Sequence, residues 1–220
     1  REHRDGPLAA LLLSLFNGKL GRRLDGPGGG GYGSSYSEFT ALSLRIQEGR
    51  SAAEQKQLIL EVLESMFPPF VPPLLRRLPT SPWVCWVNAM ITRVFFTWLV
   101  GPCSVVEVEV PGPGGAPVRQ LSGVQIERCR YLDTTRCVAT CTNICQQPTQ
   151  TFISEVLGVP VTLTPDFETF GCQMAFGKAP PALEEDPVSQ QPCFYGHCPS
   201  APVAPGSGPL AGERPPCKKV

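Results

Sequence analysis

Cys137, Cys141 and Cys145 recur at four-residue intervals in RCVATCTNICQQPTQ. At roughly 1.5 Å rise and 100° per residue, such positions share one helix face, drifting about 80° while climbing about 12 Å. Neighbouring thiols in that register could clamp one metal centre. The outer two stand too far apart for a single small ion, so engaging all three requires a multi-iron cluster, two centres or a broken helix. A disulfide within the triplet is disfavoured, because bridged Cβ atoms must approach to roughly 3.5–4.5 Å. Partners are at hand in Cys129, Cys172, Cys193, Cys198 and Cys217, making eight cysteines in the second half, with Cys85 and Cys103 completing ten. Eight thiols suffice for two four-thiolate sites or four disulfides, and their spacing matches neither a zinc ribbon nor the bacterial ferredoxin run. Ligand softness ranks iron or iron–sulfur first, structural disulfides between helices and tail second, and zinc or inert core thiols last.

Other chemistry is sparse. The two histidines, His3 and His197, cannot build a two-histidine iron triad unless His3 folds back, and neither a G-x-S-x-G elbow nor a dinucleotide fingerprint occurs. Asp166 and Glu168 in TPDFE could ligate iron or move a proton, but read more simply as surface acids capping a turn. The 19 basic and 19 acidic residues cancel, which argues against nucleic acid as a partner. A chain of 220 residues can bury a sizeable core without cross-links. It begins at Arg1 rather than Met, which reads as a trimmed product or a fragment.

The elements that must position these thiols follow from pattern. Leu8–Leu20 carries an apolar stripe at helical spacing, and the glycine run 26–33 reads as a flexible linker. Ser35-x-x-Glu38 and Ser51-x-x-Glu54 are capping boxes that start two helices, one stopped by Gly49, the other ending after Met66 before the Pro68, Pro69, Pro72 and Pro73 cluster. Trp83–Val100 is nearly as long as a bilayer core, but Asn88 and Arg93 disfavour a plain span. It reads as a buried core helix, with a lipid-like pocket wall as the second reading, for which Trp83, Trp86, Phe95, Phe96 and Trp98 are suited. Val106, Val108 and Val110 alternate with Glu107 and Glu109, and PGPGGAP turns the chain into Val118–Glu127, a β-hairpin. A helix over Thr135–Ile144 is expected to stop before Pro148, with a short amphipathic piece at Gln150–Leu157. Past Lys178 proline and glycine crowd out regular structure. The fold class is thus α+β: a helical region over 1–101, a hairpin and cysteine-helix core over 102–178, and an irregular tail over 179–220, ordered by packing on the metal site.

VGPCSVVEVEV, SGVQIERCRYL, CVATCTNICQQPTQTFISEVLGVPVTLTPDFE, CQMAFGKAPP and EEDPVSQQPC, with LLLSLFNGKLG, EGRSAAEQ and ESMFPPFVPPLLRRL nearer the start, resemble the plastid iron-containing β-carotene isomerase family of the strigolactone pathway. The resemblance covers nearly the whole chain. It implies a chloroplast protein, in the stroma or at a thylakoid or plastoglobule surface, that needs iron and interconverts all-trans and 9-cis carotenoids. Joined to the cysteine pattern, it gives one or two iron–sulfur clusters with ligands drawn from Cys129, Cys137, Cys141, Cys145, Cys172, Cys193, Cys198 and Cys217. The expected hydrocarbon contacts are Phe95, Trp98, Phe170 and Met174. The alternative reading is a non-catalytic assembly or redox-sensing subunit of a thylakoid complex, its cysteines in a cluster or in disulfides.

Overall fold

The computed structural model describes residues 5–26 and 31–192. Local chemistry sets the first helices. Pro7 opens α1 (Pro7–Asp25), where its missing N–H costs nothing. Both capping boxes close: Ser35 and Glu38 start α2 (Tyr36–Ile46), and Ser51 and Glu54 start α3 (Ala52–Ser65). Gly49, at φ +69°, turns the chain between them in a conformation an L side chain resists. The proline cluster that ends α3 does not stay irregular, since Val71–Leu75 forms a short helix, α4.

The long aromatic segment splits. Ser81 caps α5 (Pro82–Phe95), the chain kinks at Phe96 (φ −109°, ψ 0°), and α6 (Thr97–Val100) ends at Gly101. It is not buried all round: Trp83, Trp86, Ile91, Val94 and Phe95 are exposed. No described helix is long and apolar enough to cross a membrane.

The hairpin forms as β1 (Cys103–Pro111) and β2 (Pro117–Ile126), with an irregularity between Val106 and Val108. Two further strands, β3 (Val161–Pro165) and β4 (Cys172–Phe176), extend it to a four-stranded antiparallel sheet in the order β1-β2-β4-β3. The architecture is therefore α+β, as the pattern of periods implied, with a larger sheet than a lone hairpin.

Between the hairpin and β3 the chain runs through α7 (Arg130–Thr135) and a longer helix over 138–156. Arg136, left-handed at φ 44°, separates the two, so the cysteine helix begins after Cys137 rather than at Thr135. That helix does not stop at Pro148. Thr140–Gln146 and Phe152–Val156 are π-helical, flanking α8 (Gln147–Thr151), and Pro148 falls where the bonding changes from π to α. The helix contacts α2 and α3 on one side and β3 on the other. Its apolar residues Val138, Ile144 and Phe152 join Phe39, Ile59, Val62, Val124, Met174 and Phe176 in one core.

Candidate metal and substrate site

The cysteine helix presents two different faces. On one, Cys141 and Cys145 meet Cys129, the residue that precedes α7, and Cys172, the first residue of β4. These four thiols border a cavity of about 60 Å³ whose remaining wall is almost wholly apolar, with Phe96, Leu99, Ile126, Leu132, Ile153 and Met174 among its lining. The strand pairing that places Cys172 is specific: it stands opposite Ile126 of β2 and Pro165 of β3. Cys129 is fixed by its N–H donating to the Phe170 carbonyl at 2.6 Å, while its own carbonyl accepts from the Asp133 N–H at 2.9 Å.

Burial pushes all four thiols upward in pKa, Cys145 to about 12; Cys141, Cys145 and Cys172 are pushed further by the charge of neighbouring cysteines, and Cys129 by that of Asp133. Without a compensating cation the set is therefore neutral at physiological pH. None of the described cysteines is in a disulfide. Among the described residues no group of three or more His, Cys, Asp or Glu is disposed to hold a single metal ion. Thiolates on one ion must each come within about 2.3 Å of it.

On the other face the helix is polar. Cys137 is buried but away from the cavity, its sulfur near the Gln47 side chain, whose amide also donates to the Thr140 hydroxyl. Asn143 donates to the Gln55 side-chain oxygen at 3.1 Å, and the Gln55 side-chain amide donates to the Arg50 backbone carbonyl at 3.0 Å. Gln146 reaches past both faces, donating to the Leu163 carbonyl and to the buried Asp186 carboxylate.

The structure thus brings together Cys129, Cys141, Cys145 and Cys172 and separates Cys137 from them. Cys193, Cys198 and Cys217 lie outside the described residues; the described start of the tail, 179–192, is not wholly irregular, since Asp186 caps a short 3-10 helix over Pro187–Gln190, and buried Asp186 and Val188 pack it on the fold. Of the expected hydrocarbon contacts, Met174 lines the cavity. Trp98 is buried in an aromatic cluster with Phe16 and Phe39, Phe95 is exposed on α5, and Phe170 stands between the Arg128 and Arg136 guanidiniums at 5.2 and 5.4 Å. The aromatic segment does form cavity wall, but through Thr92, Phe96, Leu99 and Val100. Asp166 is a turn cap, as its context suggested. Its carboxylate accepts from the Glu168 and Thr169 N–H groups and the Thr169 hydroxyl, and these donors hold it below the usual carboxylate range.

Sequence reading missed Arg130. Its guanidinium lies 3.6 Å over the Tyr36 ring, pairs with Asp5 at 2.5 Å and donates to the Trp98 carbonyl, tying α2, α6 and the segment before α1 to the residue after Cys129. The only available signal was its adjacency to a cysteine.

Residues 98–185 match the family model described as beta-carotene isomerase D27-like, C-terminal. Two curated proteins, each named beta-carotene isomerase D27, chloroplastic, are similar to the chain. The one from Arabidopsis thaliana is 36% identical over 162 residues, 73% of this chain and 60% of the relative. The one from Medicago truncatula is 38% identical over 145 residues, 66% of this chain and 56% of the relative. The chain thus spans somewhat under two thirds of the length of either. No solved structure matches it significantly.

Proposed function

Because residues 98–185 match the beta-carotene isomerase D27-like C-terminal family model, we propose that the protein interconverts trans and cis isomers of a β-carotene-type hydrocarbon in the chloroplast, using iron held by cysteine thiolates. The observation that carries the reading is the meeting of four thiols from three separate parts of the chain at one apolar cavity.

Cys129, Cys141, Cys145 and Cys172 are the proposed ligands, one iron–sulfur cluster being the natural load for four thiolates. Trans–cis isomerisation is redox-neutral and needs only a transient loss of double-bond order, which an iron–sulfur group held by these thiolates would supply by reversible one-electron exchange. The chain's own part is to exclude water and to position the polyene. Leu99, Ile126, Leu132, Ile153 and Met174 give a wall with almost no polar atoms to compete for charge, and the short contact between Cys129 and Phe170 fixes one side of the ligand set.

A cavity of about 60 Å³ is far smaller than the roughly 300–1,000 Å³ of ordinary ligand pockets. A C40 chain therefore reaches the thiols only when the wall opens, and the kink at Phe96 between α5 and α6 is the irregular point in that wall. Because such a substrate resides in lipid, the working location is a thylakoid or plastoglobule surface, and the product feeds strigolactone biosynthesis, as the sequence resemblance implies.

The test is pigment chromatography after incubating anaerobically purified protein with detergent-dispersed all-trans β-carotene, alongside its visible spectrum. A brown protein that yields the 9-cis isomer is expected. A brown protein without isomerisation would favour the assembly or redox-subunit reading, and a colourless, inactive one would remove the cluster altogether.

A further inference from the structure

The outward side of α5 is an apolar helix face with no partner among the described residues. Trp83 is 67% exposed, Val94 55% and Ile91 47%, with Trp86 and Phe95 also exposed. Just before it, Phe70, Leu74 and Leu78 stand out from α4 and the loop that follows, at 69%, 58% and 50%. Exposed apolar area on this scale marks an interaction surface.

Charge decides what it meets. Between Glu64 and Glu107 the chain has no carboxylate side chain at all, while it carries Arg76, Arg77 and Arg93. Arg76 borders a groove with Glu64 and Glu155. Arg77 and Arg93 are exposed and enter no ion pair among the described residues. Glu107 and Glu109 do not compensate them. They alternate with the buried Val108 and Val110, and Val110 lies on the α5 side, beside Gly177 and Cys85. The net neutrality of the whole chain thus conceals an aromatic α5 that carries one cation, Arg93, and no acid, preceded by a loop that carries Arg77.

We propose that this face docks on an anionic lipid surface, with α5 lying in the plane of the interface. Tryptophan and arginine beside aliphatic side chains are the composition of such helices, and Asp5, the one acid in the groove beside Arg93, is already paired with Arg130. A symmetric second copy fits worse, since a two-fold contact would set arginines against arginines with no carboxylate to pair. The proposal rests on the isomerase reading for its purpose, because docking would present the Phe96 kink to a lipid phase that carries the hydrocarbon, but its physical basis is independent of it.

The experiment uses the full chain carrying Trp98→Phe, so that Trp83 and Trp86 are the tryptophans left to report. Vesicles of phosphatidylcholine alone, and of phosphatidylcholine with about one third phosphatidylglycerol, are added without carotenoid. Co-sedimentation and a blue shift in emission are expected, both larger with phosphatidylglycerol. Val94→Glu, at an exposed position, should weaken binding on the order of tenfold. Arg77→Gln with Arg93→Gln should remove most of the preference for anionic vesicles, again on the order of tenfold. The proposal is overturned if the parent chain binds neither vesicle, if Val94→Glu binds as well as the parent, or if the arginine variant keeps its lipid preference. It also fails if the parent forms a dimer that Val94→Glu disrupts while neither binds vesicles, which would make the face a self-interface. Isomerisation of detergent-dispersed β-carotene separates the two readings: activity without vesicle binding overturns docking alone, and vesicle binding without activity overturns the isomerase alone.

Discussion

The two faces of the helix over 138–156 carry similar residues to opposite ends. Toward the sheet, Cys141 and Cys145 meet Cys129 and Cys172 across a largely apolar void, and no hydrogen bond from another side chain engages Cys129, Cys141 or Cys145 among the described residues. Toward α2 and α3, Cys137, Thr140 and Asn143 sit among amides, hydrogen-bonded to Gln47 and Gln55. A cysteine's type and spacing therefore do not fix its role. What surrounds the sulfur does: soft thiolates without polar neighbours are available to a metal, whereas a thiol beside Gln47 is part of the seam that fastens the helix to the N-terminal half.

The sharpest way to break this contrast is to substitute serine on each face. Cys141→Ser with Cys172→Ser should remove nearly all bound iron, since a hydroxyl is a poor replacement for a thiolate and two of four ligands are lost. Cys137→Ser should leave iron per chain unchanged. Iron and sulfide analysis of anaerobically purified variants decides it. Equal loss from Cys137→Ser would mean that the triplet acts as a unit and that the two faces are not distinct.

The next test attacks the seam. Asn143 and Gln55 are both buried and satisfy each other, and Gln55 is held in turn by the Arg50 carbonyl. Asn143→Ala leaves the Gln55 side-chain oxygen without its donor, a loss of about 1–3 kcal/mol of stability. Chemical denaturation measures it, and iron content should be retained. If iron falls in proportion to stability, the seam and the cavity form one cooperative unit rather than two surfaces with separate duties.

That contrast could not be read from the chain alone. Capping boxes at Ser35 and Ser51 are written in four residues each, and the valine–glutamate alternation of β1 shows its period within five, so both are legible locally. The sheet's other half is shorter: Val161–Pro165 and Cys172–Phe176 become strands by pairing with β2 and each other. The π-helical bonding of Thr140–Gln146 has no propensity signature, and it is the reason Pro148 misleads as a stop signal. Four-residue spacing overshoots a full turn in an α-helix but falls short of one where bonds run i to i+5. Cys137, moreover, lies before the helix begins, so the triplet is not the single helix face its spacing implied. The grouping of Cys129 with Cys172 is a product of strand register, and Arg130 matters through contacts with residues 5, 36 and 98, which only a fold brings near.

The smallest expected effect concerns how the cavity side is fastened from outside. There the closure is a turn, with Asp166 accepting three hydrogen bonds and the Asp166 N–H donating to Gly171, so that Phe170, at φ +63°, holds its carbonyl against the Cys129 N–H. Because those donors depress the Asp166 carboxyl below its ordinary 3.8, their stabilisation is complete above that value and is lost as pH falls below it toward the folded-state value. Amide exchange at Cys129, Glu168 and Thr169 should therefore accelerate below about pH 4 while the Asn143–Gln55 seam stays protected. Asp166→Asn should remove this acid response, because an amide cannot be protonated there, and should cost less global stability than Asn143→Ala. An acid response that persists in the variant would place the labile group elsewhere, and simultaneous loss of seam protection would show that the exposed turn and the buried seam open together.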